Sequence, residues 1–201
     1  MSQEPVAPPQ RPRVEAIVVG ASAGGVEALL SLFNELRAGF SLPLIVVLHL
    51  PDERRSQLAD VFDRRLALTV KEADDKESIV PGTLYFAAPG YHLSVEQDRT
   101  LSLSQEERLH HSRPAIDYLF ESAADAYGEH LAAVLLTGAN QDGAQGLLEV
   151  KRQGGLTIVQ DPGEARVSTM PEAALALQQP DYILPLRGIS RLLAELERIA
   201  C

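Results

Sequence analysis

Four apolar stretches constrain this chain more than any other feature: VEAIVV (14–19), LPLIVVLHL (42–50), LAAVLLT (131–137) and LTIVQ (156–160). They are continuous rather than alternating, so each needs cover on both faces. Each runs into Gly, Pro, Asn or Asp and then into residues of helical periodicity, which predicts helices over 24–37, 53–65, 114–128, 143–153, 171–178 and 189–199. Buried strands alternating with helices imply an α/β domain of three layers, doubly wound around a mostly parallel sheet. Two further segments, GTLYFAA (82–88) and YHLSVEQDRTLSLS (91–104), alternate apolar with polar residues around a turn at Gln97-Asp98-Arg99. They are expected to add antiparallel strands, an edge hairpin, at one side of the sheet. In such a sheet a ligand site lies where loops leave the carboxyl ends of the strands.

Composition removes several function classes. With 201 residues and 45% hydrophobic content, the chain can bury one core, assigned to residues 14–201. Residues 1–13, MSQEPVAPPQRPR, are proline-rich and polar without an apolar stretch, and read as a flexible tail rather than a signal peptide. No apolar run approaches the roughly 18 residues of a membrane helix, so no membrane insertion is expected. The only cysteine is Cys201, which excludes an internal disulfide and a multi-cysteine metal site. These features fit a cytoplasmic protein with no metal or cofactor. A net charge of −10 gives no overall reason to bind nucleic acid, and Arg54, Arg55, Arg64 and Arg65 read as a solvated helix face.

The turn after the first strand, in AIVVGASAGGVEALL, admits three readings. A dinucleotide fingerprint G-x-G-x-x-G needs glycine at its middle position, where Ser22 stands. The pattern G-x-S-x-G is met in full by Gly20-Ala21-Ser22-Ala23-Gly24, and would present a serine hydroxyl on a sharp strand-to-helix turn. Ser22 could equally be the N-cap of the helix that follows. A nucleophilic serine needs a histidine base and an acid that orients it. Of the five histidines, His49 alone ends a core strand, the second, while His92, His110, His111 and His130 lie in the hairpin and in loops. Asp142 follows the 131–137 strand, directly before a helix whose start it could also cap. Ser22, His49 and Asp142 thus all sit beyond the ends of strands of one sheet. Their chain order differs from that of α/β-hydrolases, where the acid precedes a late histidine.

At this point the sequence resembles the catalytic domain of CheB-type chemotaxis protein-glutamate methylesterases. The resemblance runs from about Val14 to Leu196 and rests on IVVGASAGGVEAL, VVLHLP, VPGTLYFAAPGYHLSV, HSRPAIDYLFES, LLTGANQDGAQGL and TMPEAAL, in order and at the family's spacing. It implies that Ser22 is the nucleophile, His49 the general base and acid, and Asp142 the group that orients His49. It also implies hydrolysis of glutamyl methyl esters on the cytoplasmic helices of chemoreceptors, with deamidation of receptor glutamines in some members, and contact with other chemosensory signalling proteins. Two departures stand out: Ala23 replaces the usual threonine after the serine, and GANQDG (138–143) replaces G-M-G-x-D-G. Ala139 and Asn140 thereby occupy positions where the family places oxyanion and substrate contacts. Arg113 matches an arginine near the family's substrate cleft, and reads equally as a salt-bridging residue before a helix.

The altered loop supports a second hypothesis, a weakened homologue that binds receptors or signalling proteins through the same cleft. A nucleotide-binding oxidoreductase ranks last, because His49 stands where an acid would hold the ribose. Family members usually carry an N-terminal receiver domain. Thirteen tail residues cannot build one, so a stand-alone catalytic domain without inhibition in cis is expected.

Overall fold

The computed structural model describes residues 13–50 and 57–200. Its frame is a parallel sheet of seven strands among the described residues: β1 (Ala16–Ala21), β2 (Leu44–Leu48), β3 (Thr69–Glu72), β4 (Thr83–Phe86), β7 (Leu131–Leu135), β8 (Leu156–Gln160) and β9 (Tyr182–Leu184), in the order β3-β4-β2-β1-β7-β8-β9. β5 (His92–Val95) and β6 (Leu101–Ser104) form a separate antiparallel pair. The helices are α1 (Gly25–Asn34), α2 (Leu58–Arg65), α3 (Ile116–Tyr127), α4 (Ala144–Arg152), α5 (Thr169–Leu177) and α6 (Leu186–Ala200). All six predicted helices are present with adjusted ends, except that residues 53–56 of the second lie outside the described residues, as do Arg54, Arg55 and Cys201 and all but the last residue of the predicted tail. Among the described residues no helix is long and apolar enough to cross a membrane.

Strand alternation divides the core into two layers. Ile17, Val19 and Ala21 of β1 face one way, with Val46 of β2 and Val134 of β7, onto Leu29, Leu32 and Phe33 of α1 and onto Ile189, Leu193 and Leu196 of α6. Ala16 and Val18 face the other way, with Val47 and Ala133, onto Leu119 and Phe120 of α3, Leu147 of α4 and Met170 of α5. The 3.6-residue period of the helices brings residues spaced by three and four onto one stripe, so each helix covers one face of the sheet. Burying a Leu or Phe side chain in this way contributes about 1.5–3 kcal/mol. Both faces being covered explains why β1, β2 and β7 are apolar at every position.

One segment differs from its expected place. Thr83–Phe86 is not an antiparallel edge strand: it pairs parallel with β2 on one side (Leu44↔Leu84) and with β3 on the other. All four of its residues are buried, because Phe86 packs edge-on against Phe62 of α2 while Tyr85 joins the layer beneath the hairpin. The hairpin 92–104 is antiparallel as expected, but it packs on α3 instead of extending the sheet. The strands absent from the sequence reading, β3 and β9, are the two edges of the sheet. They are short and partly exposed, so neither carries a continuous apolar run.

The sheet order reverses at β1. The chain moves outward from β1 through β2 toward β3, then crosses to β7 on the other side of β1. A switch of this kind leaves a crevice at the carboxyl ends of the two strands beside it.

Candidate active site

Ser22 follows the last residue of β1 and His49 follows the last residue of β2. The two strands are parallel partners with Ala21 opposite Leu48, so Ser22 and His49 are the next positions of one register. The backbone ties continue across them: His49 N–H donates to Ala21 O at 3.0 Å, and Ser22 N–H donates to Thr137 O at 2.9 Å, from the end of β7.

The turn that carries Ser22 closes on itself. Gly25 N–H donates to Ser22 O at 2.7 Å, and the N-cap of α1 is Gly24 in the left-handed region (φ 79°), with no side-chain cap. Glycine reaches that conformation without a Cβ penalty. Ser22 is therefore not the cap of α1, and its side chain is left for another use. Gly138 lies against it: a Cβ on Gly138 would come within 3.0 Å of Ser22 Cβ and 2.4 Å of Met170 Cε. The Ala23 carbonyl is held by the Thr137 hydroxyl at 2.8 Å, whereas no acceptor among the described residues takes the Ala23 N–H.

His49 and Asp142 meet directly, His49 Nε2–H donating to Asp142 Oδ2 at 2.8 Å. The imidazole is 12% exposed and the carboxylate fully buried. A buried carboxylate needs several donors to stay ionised. Asp142 finds them at the start of α3: Ile116 N–H donates to Oδ2 at 2.6 Å and Asp117 N–H to Oδ1 at 3.0 Å. Burial pushes its carboxyl up, but the bond from His49 and these two amides outweigh that and hold it below the usual aspartate range. The positive end of the helix dipole acts in the same direction.

Asp142 does cap a helix, though not the one it precedes. α3 has no side-chain cap of its own, and Asp142 serves it from the β7–α4 loop. α4 starts at the left-handed Gly143 (φ 93°), also without a local side-chain cap. Its amides are taken by Asp117 of α3, whose Oδ1 accepts from Gly143 N–H at 2.9 Å and Gly146 N–H at 2.7 Å. Two helix starts thus exchange carboxylates.

Among the described residues no hydrogen bond joins the Ser22 hydroxyl to His49. With Nε2 committed to Asp142, Nδ1 is the nitrogen open to a serine, and such contacts are often loose before substrate binds. Asn140 is used inside its own loop, its Oδ1 accepting Asp142 N–H at 3.1 Å, while Ala139 is exposed. Arg113 bonds carbonyls, Nη1 donating to Gln105 O at 3.2 Å and Glu106 O at 3.1 Å. Its Nε is buried without a partner, and the side chain lines a cleft with Leu48, Leu50, Phe86, Pro89 and Pro114, beside the His49 position.

Two groups that bear on the site escaped the sequence reading. Thr137, 1% exposed, braces the Ser22 turn and also accepts Val167 N–H at 2.9 Å. Asp117 looks in sequence like an ordinary acidic residue in a first helical turn, and only contact with α4 gives it a wider role. Of the other histidines, His110 bonds Asp117 and His130 bonds the Arg13 carbonyl. His92 is buried, with Nδ1 accepting Ala115 N–H and Nε2–H donating to Glu107 O, and burial lowers its pKa.

Comparison with known proteins adds to this geometry. A family model described as CheB methylesterase matches residues 17–193. A Leptospira interrogans protein, provisionally named protein-glutamate methylesterase/protein-glutamine glutaminase, is 42% identical over 184 residues, 92% of this chain and 95% of the relative. Protein-glutamate methylesterase/protein-glutamine glutaminase 2 of Methanospirillum hungatei is 37% identical over 91% of this chain, which spans 52% of that protein. The solved structure of the Thermotoga maritima CheB methylesterase catalytic domain superposes with a TM-score of 0.86 at 34% identity, covering 91% of this chain and 98% of that one.

Proposed function

The chain belongs to the CheB methylesterase family, and from that premise we propose that it hydrolyses glutamyl methyl esters on the cytoplasmic helices of chemoreceptors through Ser22, His49 and Asp142. The observation that carries the reading is the 2.8 Å His49–Asp142 bond, held at the strand end next to Ser22. In the first step Ser22 Oγ attacks the ester carbonyl carbon while His49 Nδ1 takes the hydroxyl proton. Asp142 keeps that nitrogen unprotonated beforehand by holding the proton of the ring on Nε2, and stabilises the imidazolium afterwards. The oxyanion faces the Ala23 N–H, which points from a turn fixed before the reaction and needs no reorganisation. Collapse expels methanol, protonated by His49, and leaves an acyl-enzyme. Water, deprotonated by His49, releases the glutamate carboxylate. A glutamine side chain follows the same path with ammonia as the leaving group.

Ala139 and Arg113 border the place where a receptor helix would lie, with Ala23 beside the acyl oxygen. Asn140 contributes by shaping the loop. The catalytic unit is residues 14–201. One observation favours a second reading, a binding module with weakened turnover: the Ser22 hydroxyl is not bonded to His49, in a protein whose 138–143 loop departs from the family pattern. Methanol release from methylated receptor membranes, measured with the native protein and Ser22→Ala in parallel, separates the two. Release by the native protein alone supports the esterase; release by neither, with membrane binding intact, supports the module.

A further inference from the structure

Asp117 is a buried carboxylate that the reaction above leaves unused. Its side chain is 2% exposed, and His110 Nε2–H donates to its Oδ2 at 3.1 Å. The arrangement repeats that of His49 and Asp142, with a histidine on one oxygen and helix-start amides on the carboxylate. The two pairs adjoin, since atoms of His110, Asp117 and Asp142 lie within 4.8 Å of one another. The backbone is strained to deliver His110: both His110 (φ 49°) and His111 (φ 64°) are left-handed, in a turn closed by Leu109 and Ser112 bonding each other's backbone at 3.1 and 2.8 Å. Consecutive non-glycine residues in that region cost energy that the surroundings must repay.

We propose that Asp117, held by His110, is a positioning residue for Asp142: it pins the loop that carries the acid and places a second negative charge behind the His49 imidazole. This rests on the assignment of Ser22, His49 and Asp142 given above. Among the described residues no hydrogen bond joins Asp117 to Ser22 or His49. It acts through Gly143, the residue next to Asp142, whose N–H it holds at 2.9 Å. Anchoring that amide limits how far the Asp142 carboxylate can move, and a misplacement of about 1 Å in such a constellation costs on the order of 10²-fold in rate.

The charged groups around Asp117 come from three elements. Asp142, with His49 beyond it, faces it from the β7–α4 loop, His110 from the loop before α3, and Glu121 from the next turn of α3, where Glu149 of α4 also bears on Glu121. Burial, and then the charge of Asp142, raise the Asp117 carboxyl above its ordinary range, against the Gly146 amide and His110, which lower it. A negative charge here favours the protonated form of His49, so its removal should let the neutral base persist to lower pH.

Asp117→Asn removes the charge and retains the bonds, since its amide oxygen can accept from Gly143 and Gly146 while its NH2 group donates to a neutral His110. For this variant the acid limb of kcat/KM should move to lower pH by about half a unit or more, with KM within twofold of native. In a Ser22→Ala background, where turnover is not needed, the NMR titration of the His49 imidazole should move the same way. Asp117→Ala, which loses the caps, should lower kcat about 10²-fold. An acid limb and an imidazole titration both unmoved in Asp117→Asn overturn the proposal, whether or not Asp117→Ala folds. Full activity of Ser22→Ala would instead overturn the assignment of the nucleophile, while the imidazole titration would still report on Asp117.

Discussion

Two loops leave neighbouring parallel strands at the same rim of the sheet and differ in what holds them. Residues 22–24 join β1 to α1, and residues 136–143 join β7 to α4. Both end at a left-handed glycine that opens a helix without a local side-chain cap. The first closes through its own backbone, by Gly25 N–H to Ser22 O and Ala28 N–H to Gly24 O at 3.2 Å. The second depends on α3: Asp117 accepts its amides, and its own Asp142 is spent on the amides of α3. A nucleophile can be presented by a short turn that closes through its own backbone and takes only a brace from Thr137, because its work needs only exposure and direction. A buried acid needs donors, and a loop of this length cannot supply enough of them alone.

The strongest way to break the comparison is to remove each functional group and read rate and stability together. Ser22→Ala should lower kcat by about 10⁶-fold, with His49→Ala added to it scarcely worse, and should leave the thermal midpoint nearly unchanged, because no bond of the turn uses the hydroxyl. A marked loss of stability would show that the hydroxyl takes part in closing the turn. Asp142→Asn should cost about 10⁴-fold in kcat and, unlike Ser22→Ala, about 1–3 kcal/mol of stability, since a cap and a partner of His49 are altered together.

The Asp142 contribution also carries a pH signature. Its folded carboxyl is held below the ordinary value, so its stabilisation is complete above the unfolded aspartate range and is lost as pH falls through the lowered folded value. The stability difference between native and Asp142→Asn, followed by denaturant melts, should therefore shrink on acidification below that range. A difference that grew would contradict the cap. Asp117 has the opposite sign: with its carboxyl raised, its ionisation weighs against the fold as pH rises from the unfolded range through the folded value.

Paired glycine substitutions sharpen the contrast further. Both positions pay about 1–2 kcal/mol for a left-handed side chain, but a Cβ at Gly143 would sit 2.6 Å from Leu135 Cδ1 and 2.8 Å from Ile116 Cγ2, both in the core. At Gly24 the new neighbours are Cβ and Cδ of Arg166, both at 3.0 Å, in an exposed loop residue that need shift by only a few tenths of an ångström. Gly143→Ala should then be about 1–3 kcal/mol more destabilising than Gly24→Ala; equal losses would mean the second loop is no more tightly embedded than the first. The smallest effect is expected of Thr137→Val, which strips the acceptor from Val167 N–H and the donor from Ala23 O at a cost of about 1–3 kcal/mol, with kcat lowered less than tenfold. A larger kinetic loss would show that the Thr137 brace, and not the turn's own backbone, sets the direction of Ser22.

What the amino-acid sequence determined alone follows from short-range rules. Continuous apolar runs require burial on two faces, and that requirement led to the parallel sheet, the helices between strands and the rim on which Ser22, His49 and Asp142 sit. Gly20-Ala21-Ser22-Ala23-Gly24 could be read as a sharp turn because its closure is local. The parallel pairing of Thr83–Phe86, by contrast, was decided by Phe62 and the hairpin, which bury a segment whose own pattern suggests a half-exposed edge. The edge strands Thr69–Glu72 and Tyr182–Leu184 are too short and too exposed to leave a pattern. Only the tertiary structure decided that Asp142 caps α3 rather than α4, that Asp117 returns the favour, and that Gly24 rather than Ser22 opens α1. A carboxylate's partners are chosen by which backbone amides lack acceptors nearby in space, and those amides lie 25 to 29 residues away along the chain, beyond any local rule.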